Sequence, residues 1–516
     1  MKQIKYKKYL NNYLRGFSKN IISIVSEKPI FLNNKTNLNI KKGEVWYFNS
    51  SSHLDFSSLF SSTGKLILKK LEKEGYSSSV LLCTGGPGFC QTGASIKNPN
   101  HFMPCYSCTK FNKNFNLDFE IAEFSRKQEL SSKKSTLSIE EIKNLIEPSL
   151  GWIMRGDLEN KKKLNNFKKN LIESSKKWDT FLTNIDNDLL PELCIIFNGY
   201  TFPEVIVKEI LDKRGVKTLT FENGILENSI FFTDGYAPDY LFPIRKDKLS
   251  NSEQKKVSNY IKRRKEGDFE RGGLKFWNKI NSMDKKIINK INNFSKTVTL
   301  FLNVPFDTSQ VHANTLFSDM YDWLLFTKKL IKENPDTLFI YRSHPDESRE
   351  DKKLYKSTKN WLTENGFLEF DNVYVVDSVD RLNSYELIDV SEFVMVYNST
   401  LALESILLNK NVISGGNVHY SRIDYLKPPA SKELYVESFY KLLNEKSKVS
   451  DEVYSEVEKY FFNFTYESSF DFSEELIKEN DRKYSYSLNP ELDINSEVLN
   501  KFVIYVNQIL SGQKTS

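Results

Sequence analysis

The stretch FVMVYNSTLALESILLNKNVISGG (393–416) reads as strand, polar turn, helix and strand in quick succession. FVMVY (393–397) is an unbroken apolar run of strand length. Asn398 and Ser399 then offer capping oxygens, and a helix follows at once. Leu401, Ala402, Leu403, Ile406, Leu407 and Leu408 leave it apolar almost all round, so it packs on both sides. NVI (411–413) starts the next strand. Such a unit builds a parallel sheet with helices on its faces.

The same alternation extends outward in both directions. VTLFLNV (298–304), TLFIY (337–341) and VYVV (373–376) are strand candidates, and DMYDWLLFTKKLIKEN (319–334) is a helix between two of them. Toward the N-terminus, EVWYF (44–48), SVLLC (79–83), LCIIF (193–197), KTLTF (217–221) and YLF (240–242) form an earlier set, with a Lys-rich helix over 159–182. Residues 246–295 are rich in Lys, Arg, Asn and Ser and read as a charged linker with surface helices. The expected class is α/β, with two Rossmann-like halves facing across a cleft. The division is 1–245 as a first Rossmann-like domain, 246–295 as linker, 296–480 as a second Rossmann-like domain, and 481–516 as a helical tail free to cross back.

A chain of 516 residues, 39% hydrophobic and 27% charged, is long enough for two or three buried cores. Its 73 basic and 67 acidic residues leave a net charge of only +6, which argues against a nucleic-acid track. The sequence shows no secretory signal and no apolar run long enough to span a bilayer, so a reducing cytoplasm is expected and disulfides are not. Residues 1–26 carry six Lys or Arg and no acid, with Leu10, Leu14, Phe17 and Ile21 at helical spacing. That basic amphipathic helix either touches the cytoplasmic membrane face or docks on its own domain.

Four loops carry candidate chemistry. The turn at Ser399 and Thr400 meets a helix N-terminus, where free N–H groups and the dipole favour a phosphate; plain capping is the alternative. Glu404, the one acid in that helix, needs partners, either ribose hydroxyls or a structural ion pair. In FIYRSHPDE (339–347), a strand delivers Arg342 and His344 to its carboxyl end, where an imidazole can donate to a phosphate oxygen or protonate a leaving group. In TLTFENGILE (218–227), Glu222 is placed as a general base or lies in an ordinary turn; in FLNVPFDTSQ (301–310), Asp307 lines the same cleft or caps its loop. Asp186-Asn187-Asp188 precedes a strand and reads as a loop rather than a metal motif. Cys83, Cys90, Cys105 and Cys108 have spacing too irregular for a clear zinc set.

Taken together, NVPFD (303–307), Asp322-Trp323, RSHPDE (342–347), NSYELID (383–389), YNSTLALES (397–405) and NVISGGNVHY (411–420) resemble the capsule polysaccharide biosynthesis proteins, glycosyltransferases of GT-B type related to bacterial Kdo- and sialyl-transferases. PCYSC (104–108) and FENG (221–224) extend the resemblance to the first half. It implies a nucleotide-sugar donor, CMP-linked among the options, and no separate cofactor or metal. Arg342, His344, Ser399, Thr400, Glu404, Gly415 and Gly416 become the donor-binding set, and Glu222, His344 and Asp307 the catalytic candidates, with Asp234 as a substitute base. Relatives often have two consecutive acids where Asn223 follows Glu222, which puts the base in question. The acceptor would be a lipid-linked or oligosaccharide chain. A CDP-polyol phosphotransferase, a nucleotide-sugar epimerase and a non-catalytic scaffold in polysaccharide export are the competing readings.

Overall fold

The computed structural model describes residues 44–50, 57–91, 105–116, 118–125, 135–157, 159–268, 270–271, 274–275, 281–349, 353–445, 448–480 and 485–513. The N-terminal basic helix expected over 1–26 lies outside them. The chain forms two compact units. One comprises 1–154, 158–241 and 470–516; the other comprises 155–157 and 242–469. The stretch 246–295, expected as a linker, falls within the second unit, and 470–480 and the tail fall within the first.

The first unit is built on β1 (Glu44–Phe48), β2 (Ser77–Thr84), β3 (Glu120–Ser125), β4 (Leu193–Phe197), β5 (Lys217–Asn223) and β6 (Ser229–Thr233), with helices α1 (Leu59–Lys73), α2 (Lys161–Thr183) and α3 (Glu204–Lys213). β3-β2-β1-β4-β5 run parallel, and β6 pairs antiparallel to β5. Side chains alternate across the sheet. Trp46, Phe48, Cys194 and Ile196 enter one core with Phe167, Leu171 and Trp178 of α2. Val45, Tyr47, Leu193 and Ile195 enter the opposite core with Leu66 and Leu68 of α1. With both faces covered, every residue of β1 and β4 is buried, which is why these strands read as unbroken apolar runs.

The second unit contains helix α4 (Asn251–Lys265), the short pair β7 (Glu270–Arg271) and β8 (Leu274–Lys275), and a sheet of β9 (Lys296–Phe301), β10 (Thr337–Arg342), β11 (Val373–Val376), β12 (Phe393–Val396) and β13 (Val412–Ser414). Its order is β11-β10-β9-β12-β13, all parallel. Helices α5 (Met320–Glu333), α6 (Ser384–Val390), α7 (Leu401–Leu407) and α8 (Lys432–Asn444) accompany it. Trp323 of α5 and Tyr435 and Phe439 of α8 share a core with Val298, Leu300, Phe339 and Met395.

The chain then returns to the first unit through β14 (Ser469–Asp471), the hairpin of β15 (Leu476–Asn480) and β16 (Ser485–Leu488), and α9 (Glu497–Ser511). β14 adds to the sheet beside β6, and Leu499, Phe502 and Val506 of α9 fill the core under β1 and β4.

The fold is thus α/β with two Rossmann-like units, as expected. Each parallel core has the order 3-2-1-4-5, so each has a switch point between its first and fourth strands, where the loops diverge and ligands enter such sheets. YLF (240–242) is not a strand: Tyr240 takes a left-handed backbone (φ 46°) after the Ala237–Asp239 turn, with Pro243 following Phe242.

Candidate functional site

In the second unit the loops leaving β9, β10 and β12 emerge side by side at the carboxyl end of the sheet. His344 follows β10 by two residues and is half-buried. Its Nδ1 accepts the Asp346 backbone N–H at 3.1 Å as the cap of the turn Pro345–Ser348. A neutral imidazole whose Nδ1 accepts must carry its proton on Nε2, so Nε2 is the donor nitrogen.

Two strands over, Ser399 and Thr400 follow β12 and are half-buried. The Ser399 hydroxyl accepts the Leu401 N–H at 3.3 Å, which leaves its own proton to donate. Thr400 stands at the α7 N-cap without a side-chain capping bond. Asn398, read from sequence as a capping oxygen, does something else. It bridges the switch point, donating through Nδ2 to Ser309 O (3.0 Å) and accepting through Oδ1 from Gln310 Nε2 (2.8 Å). The β12 turn is thereby fastened to the β9 loop. Asp307 caps that loop, accepting from Ser309 N at 3.2 Å.

Four residues expected to hold the donor make their described contacts within the protein. Arg342 is 2% exposed, and its guanidinium donates to Asp377 O (2.6 Å) and Asp380 O (2.9 Å). It braces the loop after β11, and burial lowers it to about 10. Glu404 is enclosed by protein: the Tyr385 and Tyr260 hydroxyls donate to it, and Arg264 Nε lies 3.9 Å away. The structural ion pair, not the ribose, accounts for its partners. Gly415 and Gly416 spend their N–H groups on Val396 O and Tyr397 O, at 2.8 and 2.7 Å. A Cβ on Gly415 would come within 2.7 Å of Trp323 Nε1, so the glycine is there for packing.

Glu347, quoted within RSHPDE but assigned nothing, is buried with Thr358 N (3.0 Å) and Thr358 Oγ1 (2.6 Å) donating to it. Burial pushes its carboxyl up to about 7.

In the first unit, Glu222 occupies the carboxyl end of β5. Asn198, just past β4, donates to its Oε2 at 2.6 Å, and the Asn223 N–H donates to Oε1 at 2.9 Å. Both oxygens of the carboxylate are oriented. The neighbouring switch point is bridged by Glu204, fully buried, which accepts from Ser50 N at 2.7 Å and from Thr201 Oγ1 at 3.2 Å. Asp234 is half-buried, 3.5 Å from the Thr233 hydroxyl. Sequence reading did not single out Asn198 or Glu204. A polar residue just past a buried strand was the available signal.

Cys83, Cys90, Cys108 and Cys194 form no disulfide with one another, and the Cys105 side chain lies outside the described residues. Among the described residues no group of three or more His, Cys, Asp or Glu is arranged to hold a metal ion, and no helix is long and apolar enough to cross a membrane.

Protein FixF of Sinorhizobium fredii is 24% identical over 241 residues, 46% of this chain and 52% of that protein; the chain thus spans about half the length of this curated relative. Among solved structures, the KpsC β-Kdo 2,4-transferase of Thermosulfurimonas dismutans aligns at 11% identity and a TM-score of 0.36, over 62% of this chain and 87% of that one. A UDP-GlcNAc 2-epimerase from Neisseria meningitidis aligns at 12% identity and a TM-score of 0.26, over 91% and 99%. Residues 244–423, which hold all five strands of the second sheet, match the family described as capsule polysaccharide biosynthesis protein.

Proposed function

We propose that this protein is a glycosyltransferase that moves a sugar from a nucleotide-sugar donor onto a lipid-linked or oligosaccharide acceptor during synthesis of a capsular or related surface glycan. The observation that carries the reading is the capped His344: its Nε2–H lies at the carboxyl end of β10, at the same end of the sheet as the Ser399 and Thr400 hydroxyls that follow β12 two strands over. These three donors suit a phosphate whose negative charge grows as the glycosidic bond breaks. In the transfer, the acceptor oxygen bonds to the anomeric carbon, the bond from that carbon to the phosphate oxygen breaks, and the nucleotide leaves with the electron pair. Glu222, held on both oxygens, takes the acceptor's hydroxyl proton. His344 stabilises the leaving phosphate by hydrogen bonding through Nε2–H, and this reading assigns no role to a metal ion. It places the reaction on the cytoplasmic side.

The test is thermal stabilisation by CMP, CDP, UDP and GDP. One nucleotide should raise the melting temperature, and the shift should vanish in folded His344→Ala and Ser399→Ala variants. No shift with any of the four in folded protein would count against the donor site and favour the scaffold reading.

A further inference from the structure

Among the described residues before 242, only 155–157 are assigned to the second unit. This short strap has two costly features. Arg155 takes a left-handed backbone (φ 52°), rare for a residue with a Cβ, whereas Gly156 after it adopts the same region (φ 81°) without strain. Asp157 is 7% exposed, its Oδ2 is enclosed without a hydrogen-bond partner, and no ion pair reaches its carboxylate among the described residues. A buried carboxylate without partners is a liability that folding alone has no reason to keep. Strain and unpaired polar groups of this kind gather where ligands bind.

The strap's neighbours say which ligand. The Arg155 guanidinium sits 5.3 Å from the ring of Phe306, in the loop leaving β9 beside Asp307. The Arg155 carbonyl accepts the Tyr355 N–H at 3.1 Å, and Leu354 N in turn donates to Glu347 O at 3.2 Å, in the turn capped by His344. The strap therefore touches both the β9 loop and the segment tied to the His344 turn. It lies at the same end of the sheet as the proposed phosphate donors.

We propose that Asp157 is a further substrate-facing residue of this site, whose carboxylate accepts hydrogen bonds from the hydroxyl groups of the donor's sugar. The assignment rests on the nucleotide-sugar reading above. A carboxylate suits hydroxyl groups and repels phosphate, so it belongs to the sugar end of the donor. Only ligand hydroxyls, not the phosphates, would fill the bonding capacity that the protein leaves open.

The experiment compares wild type with Asp157→Asn, first without ligand and then with free nucleotides against their sugar conjugates: CMP against CMP-Kdo, and UDP against UDP-N-acetylglucosamine. Without ligand, Asp157→Asn should melt no lower than wild type, because no hydrogen bond of the carboxylate is lost; a lower melting temperature would make Asp157 structural and overturn the assignment. With ligand, the variant should bind the free nucleotide as wild type does and its sugar conjugate at least tenfold more weakly. Equal loss for both, or loss for neither, overturns the assignment while leaving the nucleotide site intact. Wild type that binds none of the four ligands sinks the underlying reading instead, and the assignment with it.

Discussion

Asn198 donates its side-chain amide to Glu222 Oε2 across 2.6 Å, and it does so from a left-handed backbone with φ 58°. Glycine is at ease in that backbone, whereas alanine is strained by about 1 kcal/mol. Asn198→Gly should therefore be more stable than Asn198→Ala by about that amount in urea unfolding, although both lose the amide. If Glu222 is the base, Asn198→Gly should also lower kcat about tenfold or more at unchanged KM, with no further loss when combined with Glu222→Gln. Additive losses in the double variant would show that Asn198 does not act through Glu222.

Glu347 should make stability depend on pH. Its carboxyl is raised by burial from 4.5 to about 7, so the folded chain keeps a proton that the unfolded chain has released. That contribution is full below about pH 4.5 and is lost as pH rises through 7, with a ceiling of about 3 kcal/mol. Glu347→Gln should gain on wild type as pH is raised from 5 to 8. A difference in melting temperature that stays constant over that range would refute the assignment.

The Glu404 cluster ties α4 and α6 to α7 through Arg264, Tyr260 and Tyr385. Removing the carboxylate strands a buried guanidinium, so Glu404→Ala should cost about 3–5 kcal/mol. A double-mutant cycle of Glu404→Gln with Arg264→Met should return a coupling of about 1–3 kcal/mol. Nucleotide binding should survive in folded Glu404→Gln. Its loss there would restore the ribose role.

Gly415 faces the Trp323 indole, which itself donates to the Tyr435 hydroxyl at 2.9 Å. Gly415→Ala must displace a fully buried ring and should cost about 1–3 kcal/mol in chemical denaturation. A neutral substitution would mean that the indole can swing aside.

The buried strands were legible because a parallel sheet covered on both faces demands runs such as LCIIF and TLFIY, and the two-unit α/β class followed from their alternation with helices. β3 and β6 were missed: EIAEFS carries two acids, and SIFFT pairs antiparallel at the far side of β5. Within the site, the positions of His344, Ser399 and Glu222 at strand ends could be read locally. The partners of Arg342 and Glu404 could not, because they come from segments 19 to 144 positions away. A charged residue near a strand end looks the same in sequence whether it faces a ligand or braces a neighbouring loop.

The first unit's sheet ends in β14 and its core in α9, both supplied after the second unit has been made. During synthesis, β1 to β6 leave the ribosome with one sheet face short of a helix and with the far edge of β6 unpaired. At about 5–20 residues per second, the intervening unit takes tens of seconds to appear. Through that interval the nascent chain carries an open strand edge beside aromatic rings that lack their later partners, Phe232 among them, and that edge is a template for pairing with another chain.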